Sequence, residues 1–147
     1  MELGIKALSD YAVLPTRGTA DSAGMDLYAA IQDTLTIAPH ETKMIPTGLA
    51  MEIPDGYFGA IYPRSGLSTK RGLRLANCVA VIDSDYRGEV GVPLHNDSNE
   101  YQDIYPRDRI AQLVIQPYLN VIPTYVTSFD KENTERATGV STEWACG

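Results

Sequence analysis

The chain has 147 residues, a length typical of one domain, and such a domain buries about two-thirds of its unfolded surface without disulfide or metal crosslinks. Its formal net charge of -7 excludes the sustained basic surface that binding to a nucleic-acid polymer requires. The two cysteines, Cys78 and Cys146, are too few for a disulfide scaffold and belong to no zinc-binding cluster.

The N-terminal residues Met1–Lys6 show no basic region followed by an apolar run. No later stretch approaches the ~20 consecutive apolar residues of a membrane-spanning helix. We therefore expect a soluble protein that is not secreted and has no membrane partner. Its expected location is the reducing cytoplasm, the nucleus or the interior of a virus-infected cell.

Short runs rich in Val, Ile, Leu and Tyr are broken by Gly, Pro, Asn and Asp along the chain, which indicates β-strands. Nine prolines are spread through the sequence. Because an interior proline costs a helix about 3 kcal/mol, they leave room only for a short helical turn, predicted at Ser65–Lys70. Many short strands favour an all-β barrel or jelly roll that protects its edges. The predicted strands include Ile5–Leu8, Thr42–Pro46, Leu49–Ile53, Phe58–Tyr62 and Arg109–Ile115.

The first segment with possible chemistry is Ala23–Ala29, where Asp26 stands inside an otherwise apolar strand entry. An aspartate that bonds to its own backbone in a turn is the simpler interpretation of this residue alone.

The second segment, Pro63–Gly72, joins a strand to the predicted helical turn. Free backbone N–H groups, the Ser65 hydroxyl and the Arg64 guanidinium meet in this segment, and that combination binds phosphate.

The segment Asn77–Gly91 is predicted to form a hairpin of a strand, a turn and a returning strand. Backbone groups on such a hairpin can pair with the edge of a pyrimidine as one strand pairs with another. A carboxylate at Asp83 can orient a water molecule and accept its proton, whereas Asp85 is interpreted as a turn residue. Farther on, Arg109–Val114 alternates like a half-buried strand, and Gln112 is its central polar residue.

In chain order these four segments contain AGMDL, PRSGL, the aspartate-containing hairpin and RIAQL. They resemble four of the five motifs of the trimeric dUTPase family, the deoxyuridine 5'-triphosphate nucleotidohydrolases. The resemblance implies a distorted jelly-roll β-barrel with one short helix, and a homotrimer whose active sites are shared between chains. The implied reaction is the Mg²⁺-dependent hydrolysis of dUTP to dUMP and pyrophosphate, with water attacking the α-phosphorus.

The resemblance also implies a role for each matching residue. Asp83 would be catalytic, and Asp26 would hold water bound to the magnesium ion rather than the ion itself. Tyr86 would pack under the sugar, where a 2′-hydroxyl does not fit. The phosphates would be held by Arg64, Ser65, Gly66 and Gln112, and uracil would be read by Asn77, Val81, Ile82 and Gly91.

The C-terminal residues 136–147 are predicted to form a flexible arm that follows a β domain of residues 1–135. By resemblance to the fifth motif, Arg136, Ser141 and Thr142 would contact phosphate, although the spacing is two residues short. The family's phenylalanine is absent, and Trp144 is a hypothetical substitute for it. A C-terminal tryptophan without a role is the simpler interpretation of Trp144. A second departure is Ala80, where the family usually has glycine.

The sequence leaves two alternatives open. One is a nucleotide-sensing or protein-binding regulatory module that kept the pocket and lost most catalysis along with its fifth motif. The other, which is less favoured, is a dCTP deaminase. These enzymes share the fold and the arginine-serine loop but need a glutamate for deamination, where this chain has the Asn77–Gly91 segment.

Overall fold

The computed structural model describes residues 1–130 of the chain. In this part it contains eleven β-strands and one short α-helix, which confirms the all-β prediction. No helix in these residues is long and apolar enough to cross a membrane. The elements are β1 (Gly4–Ala7), β2 (Met25–Tyr28), β3 (Leu35–Ile37), β4 (Thr42–Pro46), β5 (Leu49–Glu52), β6 (Tyr57–Tyr62), α1 (Ser65–Arg71), β7 (Leu73–Leu75), β8 (Ala80–Ile82), β9 (Gly91–Asn96), β10 (Gln102–Ile104) and β11 (Arg109–Pro117).

The predicted strands and helical turn correspond to β1, β4, β5, β6, β11 and α1, with ends that differ by at most two residues. The helix begins after the extended residue Arg64 and ends at Gly72, whose φ of 66° is left-handed. Glycine adopts this conformation without steric cost, and its N–H donates to the carbonyl oxygen of Leu67. The chain therefore leaves the helix directly into β7.

Antiparallel pairing arranges the strands in four small sheets. The largest has the order β2-β11-β6-β8, and a three-stranded sheet has the order β4-β9-β7. Two further ribbons pair β1 with β5 and β10 with β3. Apolar side chains from all these layers form one core, whose fully buried members include Leu27, Ile37, Ile45, Leu49, Ile61, Leu75, Leu94, Ile104 and Leu113. This arrangement is consistent with a distorted jelly roll.

The predicted hairpin over Asn77–Gly91 is wrong in its pairing. Strand β8 pairs with β6, whereas β9 pairs with β4 and β7, so the chain crosses between two sheets. The reason is burial on both sides of the crossing. Ala80 enters the core opposite Ile61, and Val90 packs into it while its N–H donates to the Leu49 carbonyl oxygen at 2.8 Å. The intervening residues 83–89 form a long connection on the surface.

Asn96 is the buried polar residue that fixes the loop after β9. Its amide nitrogen donates to the carbonyl oxygens of Ile37 at 3.0 Å and Glu100 at 2.7 Å. Its side-chain oxygen accepts from the backbone N–H of Ser98 at 3.0 Å and from the Ser98 hydroxyl at 2.7 Å. Because the side chain is fully buried, each of these bonds replaces water that the folded protein excludes.

An exposed ion pair joins β7 to the same loop. The Nε atom of Arg74 lies 2.5 Å from a carboxylate oxygen of Asp97, and His95 Nε2 lies 3.3 Å from the other oxygen. The hydrogen bond from Arg74 holds the pKa of Asp97 below its ordinary value, and it raises the pKa of Arg74. Since the folded-state pKa of Asp97 is depressed, the small contribution of this pair to stability is lost as the pH falls through that pKa.

Replacing Asn96 by alanine should lower the free energy of unfolding by about 2–4 kcal/mol. The change removes the side-chain donor to the carbonyl oxygens of buried Ile37 and of Glu100, and it leaves the Ser98 N–H without its acceptor. The measurement is urea unfolding at one fixed protein concentration. Asn99→Ala is the matched control, because Asn99 is exposed and bonds only His40 in the described part of the chain, so its effect should stay within ~0.5 kcal/mol. Equal losses for the two variants would contradict this account of Asn96.

Candidate active site

A polar cleft of about 440 Å³ opens where β2, β11 and β6 lie side by side. We call it the arginine cleft. Four residues predicted to hold phosphate line this cleft. Arg64, Ser65 and Gly66 follow β6 in the chain, and Gln112 lies on β11. Its full lining is Gly18, Ser22, Ala23, Gly24, Asp26, Arg64, Ser65, Gly66, Arg109 and Gln112.

Strand register explains why residues distant in sequence meet in this cleft. Gln112 on β11 lies opposite Asp26 on β2 and opposite Tyr62 on β6. Arg64 follows Tyr62 by two residues, so its side chain emerges beside both of the other strands. The structure therefore brings Asp26, Arg64 and Gln112 together in one cleft.

Asp26 holds two guanidinium groups at the cleft. Its Oδ1 atom accepts a hydrogen bond from Arg64 Nε at 2.9 Å, and its Oδ2 atom lies 3.7 Å from Arg109 Nη1. The carboxylate is largely shielded, with 16% of its side chain exposed, so this pairing is screened less than a surface pair. Two arginines against one carboxylate leave a local positive charge in a chain whose formal net charge is -7. The cleft is therefore suited to an anion.

Gln112 fixes the loop that leads into α1. Its amide nitrogen donates to the carbonyl oxygen of Pro63 at 2.9 Å. Gly24 faces the other side of this amide, and a β-carbon at position 24 would overlap Gln112 Oε1 and lie 3.2 Å from Gln112 Cβ. Gly24 is thus needed for the close approach of its backbone to the Gln112 side chain. The sequence analysis missed this role although Gly24 lies inside the AGMDL motif.

A second cleft, also of about 440 Å³, is lined mainly by apolar side chains. We call it the apolar cleft. Five predicted residues, Asn77, Val81, Ile82, Tyr86 and Gly91, line it together with Met44, Pro46, Ala80, Glu89, Val90 and Pro93. Strand β8 is the edge strand of its sheet, so part of its backbone points away from β6 into open space. Such an edge can offer N–H and C=O groups to a planar base.

Met44 is a lining residue that the sequence analysis missed. It lies on β4, and a β-carbon added to Gly91 would be 2.6 Å from its sulfur. Met44 and Gly91 therefore pack face to face, and the glycine allows this approach. No motif signals the contact, because it depends on the pairing of β4 with β9.

The long connection between β8 and β9 folds back on itself. A turn closes from the Tyr86 N–H to the Asp83 carbonyl oxygen at 3.1 Å, which places Asp85 within the turn as predicted. The Tyr86 hydroxyl donates to the Glu89 carbonyl oxygen at 2.8 Å, and Arg87 Nη1 donates to the Ser84 carbonyl oxygen at 2.6 Å. These bonds hold the Tyr86 side chain along the rim of the apolar cleft.

Asp83 is exposed and does not belong to the lining of either cleft. It follows Ile82, which lies opposite Gly59 on β6. Arg64 is five residues beyond Gly59 in the opposite direction, so roughly 16 Å of extended strand lies between the backbone positions of Gly59 and Arg64. The structure therefore does not bring the predicted catalytic aspartate to the predicted phosphate site within a single chain.

Among the residues that line the arginine cleft, Asp26 supplies the carboxylate that a metal ion could use. No group of three or more His, Cys, Asp or Glu residues that could hold a metal occurs within residues 1–130. Mg²⁺ commonly keeps several waters and uses one or two carboxylates together with substrate phosphates. Asp26 is a carboxylate of that kind, so it could hold a bound water of such an ion. The predicted contacts Arg136, Ser141 and Thr142, and Trp144 with them, lie outside the described residues.

Comparison with known proteins gives a consistent result. A family model described as dUTPase matches residues 10–142. The chain is 46% identical over 126 residues to the deoxyuridine 5'-triphosphate nucleotidohydrolase of Wolbachia pipientis subsp. Culex pipiens (strain wPip), which covers 86% of this chain and 82% of that protein. It is 53% identical over 108 residues to the protein of the same name from Aquifex aeolicus (strain VF5), which covers 74% of this chain and 72% of that protein.

Solved structures agree with the sequence relatives. The dUTPase of Staphylococcus bacteriophage 80alpha with dUPNHPP has a TM-score of 0.82 and 30% identity, over 95% of this chain and 99% of that chain. A mutant dUTPase of phage phi11 of S. aureus has a TM-score of 0.82 and 27% identity, over 89% of this chain and 100% of that chain. The latter is described as revealing the coordination of a structural Mg(II) ion.

Replacing Gly24 by alanine should weaken binding of inorganic pyrophosphate in the arginine cleft roughly fivefold or more. The added methyl group displaces Gln112 and breaks its bond to Pro63, a loss of about 1 kcal/mol. Titration calorimetry measures the affinity, and circular dichroism checks the fold. Gly18→Ala is the control, because its β-carbon would meet only Ser22 Oγ, at 3.8 Å. Indistinguishable affinities in the two variants would refute the close-packing argument.

Proposed function

The chain belongs to the dUTPase family, and on that basis we propose that it hydrolyses dUTP to dUMP and pyrophosphate in a Mg²⁺-dependent reaction. The observation that carries the proposal is the family match over residues 10–142. The arginine cleft supports it, since Arg64, Ser65, Gly66 and Gln112 all line a single cavity. The chain is accordingly a dUTP diphosphatase.

The two clefts divide the recognition of the nucleotide. The arginine cleft binds the phosphate chain through the Arg64 guanidinium and the residues that follow it. The apolar cleft binds uracil, with the free edge of β8 and the backbone at Gly91 pairing with the base. Asn77 contributes its amide to the same task. Tyr86 packs under the deoxyribose, in a place where a 2′-hydroxyl group does not fit.

The chemical step is attack of water on the α-phosphorus, with pyrophosphate leaving. Asp83 orients the water and accepts its proton, a role that typically contributes 10²–10⁴-fold, or about 3–5 kcal/mol, to the rate. Arg64 and its neighbours stabilise the charge that develops on the phosphate oxygens. When bound, Mg²⁺ would neutralise part of the phosphate charge, and Asp26 would hold the ion through a water molecule.

A homotrimer with shared sites accounts for the distance between Asp83 and Arg64. If the apolar cleft of one chain faces the arginine cleft of another, Asp83 of the first chain can reach the phosphates held by the second. Exposed apolar side chains in the segment after β11 support assembly, because Leu119 and Ile122 are each 86% exposed. Such side chains gain stability when another chain covers them.

We further propose that residues 136–147 act as an arm that closes over the nucleotide. Arg136, Ser141 and Thr142 would add phosphate contacts, and Trp144 would stack on uracil in place of the missing phenylalanine. Stacking of this kind is worth about 1–3 kcal/mol per base. A cytoplasmic location fits this role, because deoxynucleotides are made and used inside cells.

A regulatory module with reduced catalysis is the second candidate. The shortened fifth motif favours it, since the arm supplies contacts that close the site. The phage dUTPases to which the 80alpha protein belongs are described as controlling the transfer of virulence genes by a proto-oncogenic G protein-like mechanism. Tight dUTP binding without hydrolysis, and without rescue by a restored glycine-phenylalanine arm, would select this candidate over the enzyme.

The purified protein should release pyrophosphate from dUTP in the presence of Mg²⁺, and much less from dTTP, dCTP or UTP. The Asp83→Asn variant should lower kcat by about 10²–10⁴-fold, because the proton of the attacking water loses its acceptor. Asp55→Asn is the control, as Asp55 is also an aspartate in a turn at the surface. Ammonia release from dCTP would instead identify a deaminase, and full activity of Asp83→Asn would remove Asp83 from the mechanism.

Shared sites predict complementation between inactive variants. Arg64→Gln and Asp83→Asn chains carrying different tags are co-expressed, and the mixed oligomers are isolated by two affinity steps. In every mixed trimer whose sites each combine two chains, one of the three sites holds both intact residues, so activity should return to about one third of the wild-type level. Sites built within one chain would give no recovery.

A further inference from the structure

Met44 lines the apolar cleft from β4 and belongs to none of the four motif segments. We propose that Met44 is a further base-binding residue, whose side chain packs against the ring of a pyrimidine bound in the apolar cleft. This inference rests on the proposed function, since it concerns the uracil of the same nucleotide. The direction, the exposure and the flexibility of the Met44 side chain support this role.

Strand alternation sets the direction of the Met44 side chain. Its neighbour Ile45 is fully buried in the core, so Met44 and Pro46 point to the outer face of the sheet. On β9 the partners of these two residues are Pro93 and Gly91. All four residues line the apolar cleft. The outer face of the paired strands β4 and β9 therefore forms one wall of this cleft.

The glycine at position 91 lets Met44 reach across this wall. Gly91 lies opposite Pro46 and therefore diagonally across the strand pair from Met44, within reach of a long side chain. A β-carbon at position 91 would lie 2.6 Å from the Met44 sulfur and 3.2 Å from Met44 Cγ. The thioether thus occupies the space that a side chain at position 91 would fill. In the proposed complex the Gly91 backbone pairs with the base, so the Met44 sulfur and methyl group lie beside the ring.

The Met44 side chain is open to a ligand. It is 62% exposed, and Val81, which lines the same cleft from β8, is exposed to the same extent. Both side chains are apolar, so a base bound between β8 and β9 removes apolar surface of the protein from water. Removal of apolar surface from water favours binding.

The chemistry of methionine suits a contact with a planar base. Its side chain is unbranched and has three rotatable bonds, so it adapts to the shape of a ring, and its polarizable sulfur makes favourable contacts with aromatic rings. The thioether carries no charge and donates no hydrogen bond. Its contribution should therefore be confined to the base and should not extend to the phosphates.

The test uses Met44→Ala and Met44→Leu, with deoxyuridine as an uncharged probe whose binding is followed by NMR. Met44→Ala should weaken deoxyuridine binding about threefold to tenfold, the effect of losing one sulfur–ring contact. Met44→Leu should stay within about twofold of the wild type, because leucine keeps the apolar character and the volume. Leu14→Ala is the matched control, since Leu14 is apolar, 65% exposed and outside the lining of both clefts.

A second measurement separates a direct contact from a structural effect. Methionine labelled with ¹³C at its methyl group gives one signal for each of the four methionines, and the Met44 signal is the one missing from Met44→Leu. Deoxyuridine should shift this signal and leave that of Met51 unchanged, because Met51 is buried in the core. Met44→Ala should bind inorganic pyrophosphate like the wild type. For dUTP hydrolysis it should raise KM by the factor seen with deoxyuridine and change kcat less than about twofold.

An unmoved Met44 signal at millimolar deoxyuridine, equal affinities of wild type and Met44→Ala, or an equal loss in Leu14→Ala would overturn the proposal. The two proposals can fail separately. If the wild type binds deoxyuridine through Met44 but does not hydrolyse dUTP, the proposed enzymatic function fails and the base contact stands. If the wild type hydrolyses dUTP and Met44→Ala behaves like it in both assays, only the role of Met44 fails.

Discussion

Strand β11 is the element on which the arginine cleft depends, because it pairs with β2 along one edge and with β6 along the other. This double pairing places Asp26 opposite Gln112 and brings the chain that follows β6 back beside both. The Asp26–Arg64 ion pair and the Gln112–Pro63 hydrogen bond then lock the loop before α1. Without β11 these groups would belong to separate parts of the chain and form no anion site.

Strand β8 differs from β11 because it lies at the edge of the four-stranded sheet. It pairs with β6 only, and its free edge contributes to the apolar cleft. Because β8 runs antiparallel to β6, the chain that leaves it carries Asp83 away from Arg64. Within one chain, Arg64 therefore lies beyond the C-terminal end of β6, whereas Asp83 lies near the N-terminal end of the same strand. The proposed site, assembled from several chains, would reconcile this geometry with the binding of a single nucleotide.

Much of the fold could be predicted because local patterns report local structure. Runs such as Thr42–Pro46 and Arg109–Ile115 carry β-branched and alternating residues, and they form strands in the structure. The turn into α1 follows from Ser65 and Gly66 in a region of low β-branched density, and Gly72 ends the helix. The predicted hairpin failed because a turn signal at Asp83–Tyr86 does not say which strands pair, and burial of Ala80 and Val90 sent the two arms to different sheets.

The sequence alone determined the all-β class, the residue types of the anion site and the motif order that resembles the dUTPases. Each of these depends on neighbouring residues, whose spacing is visible in one dimension. The tertiary structure decided the separation of the two clefts, the contact of Met44 with Gly91 and the placement of Arg109 in the arginine cleft. These features arise from pairing and register between distant strands, and register is selected by the burial of the whole core rather than by any local segment.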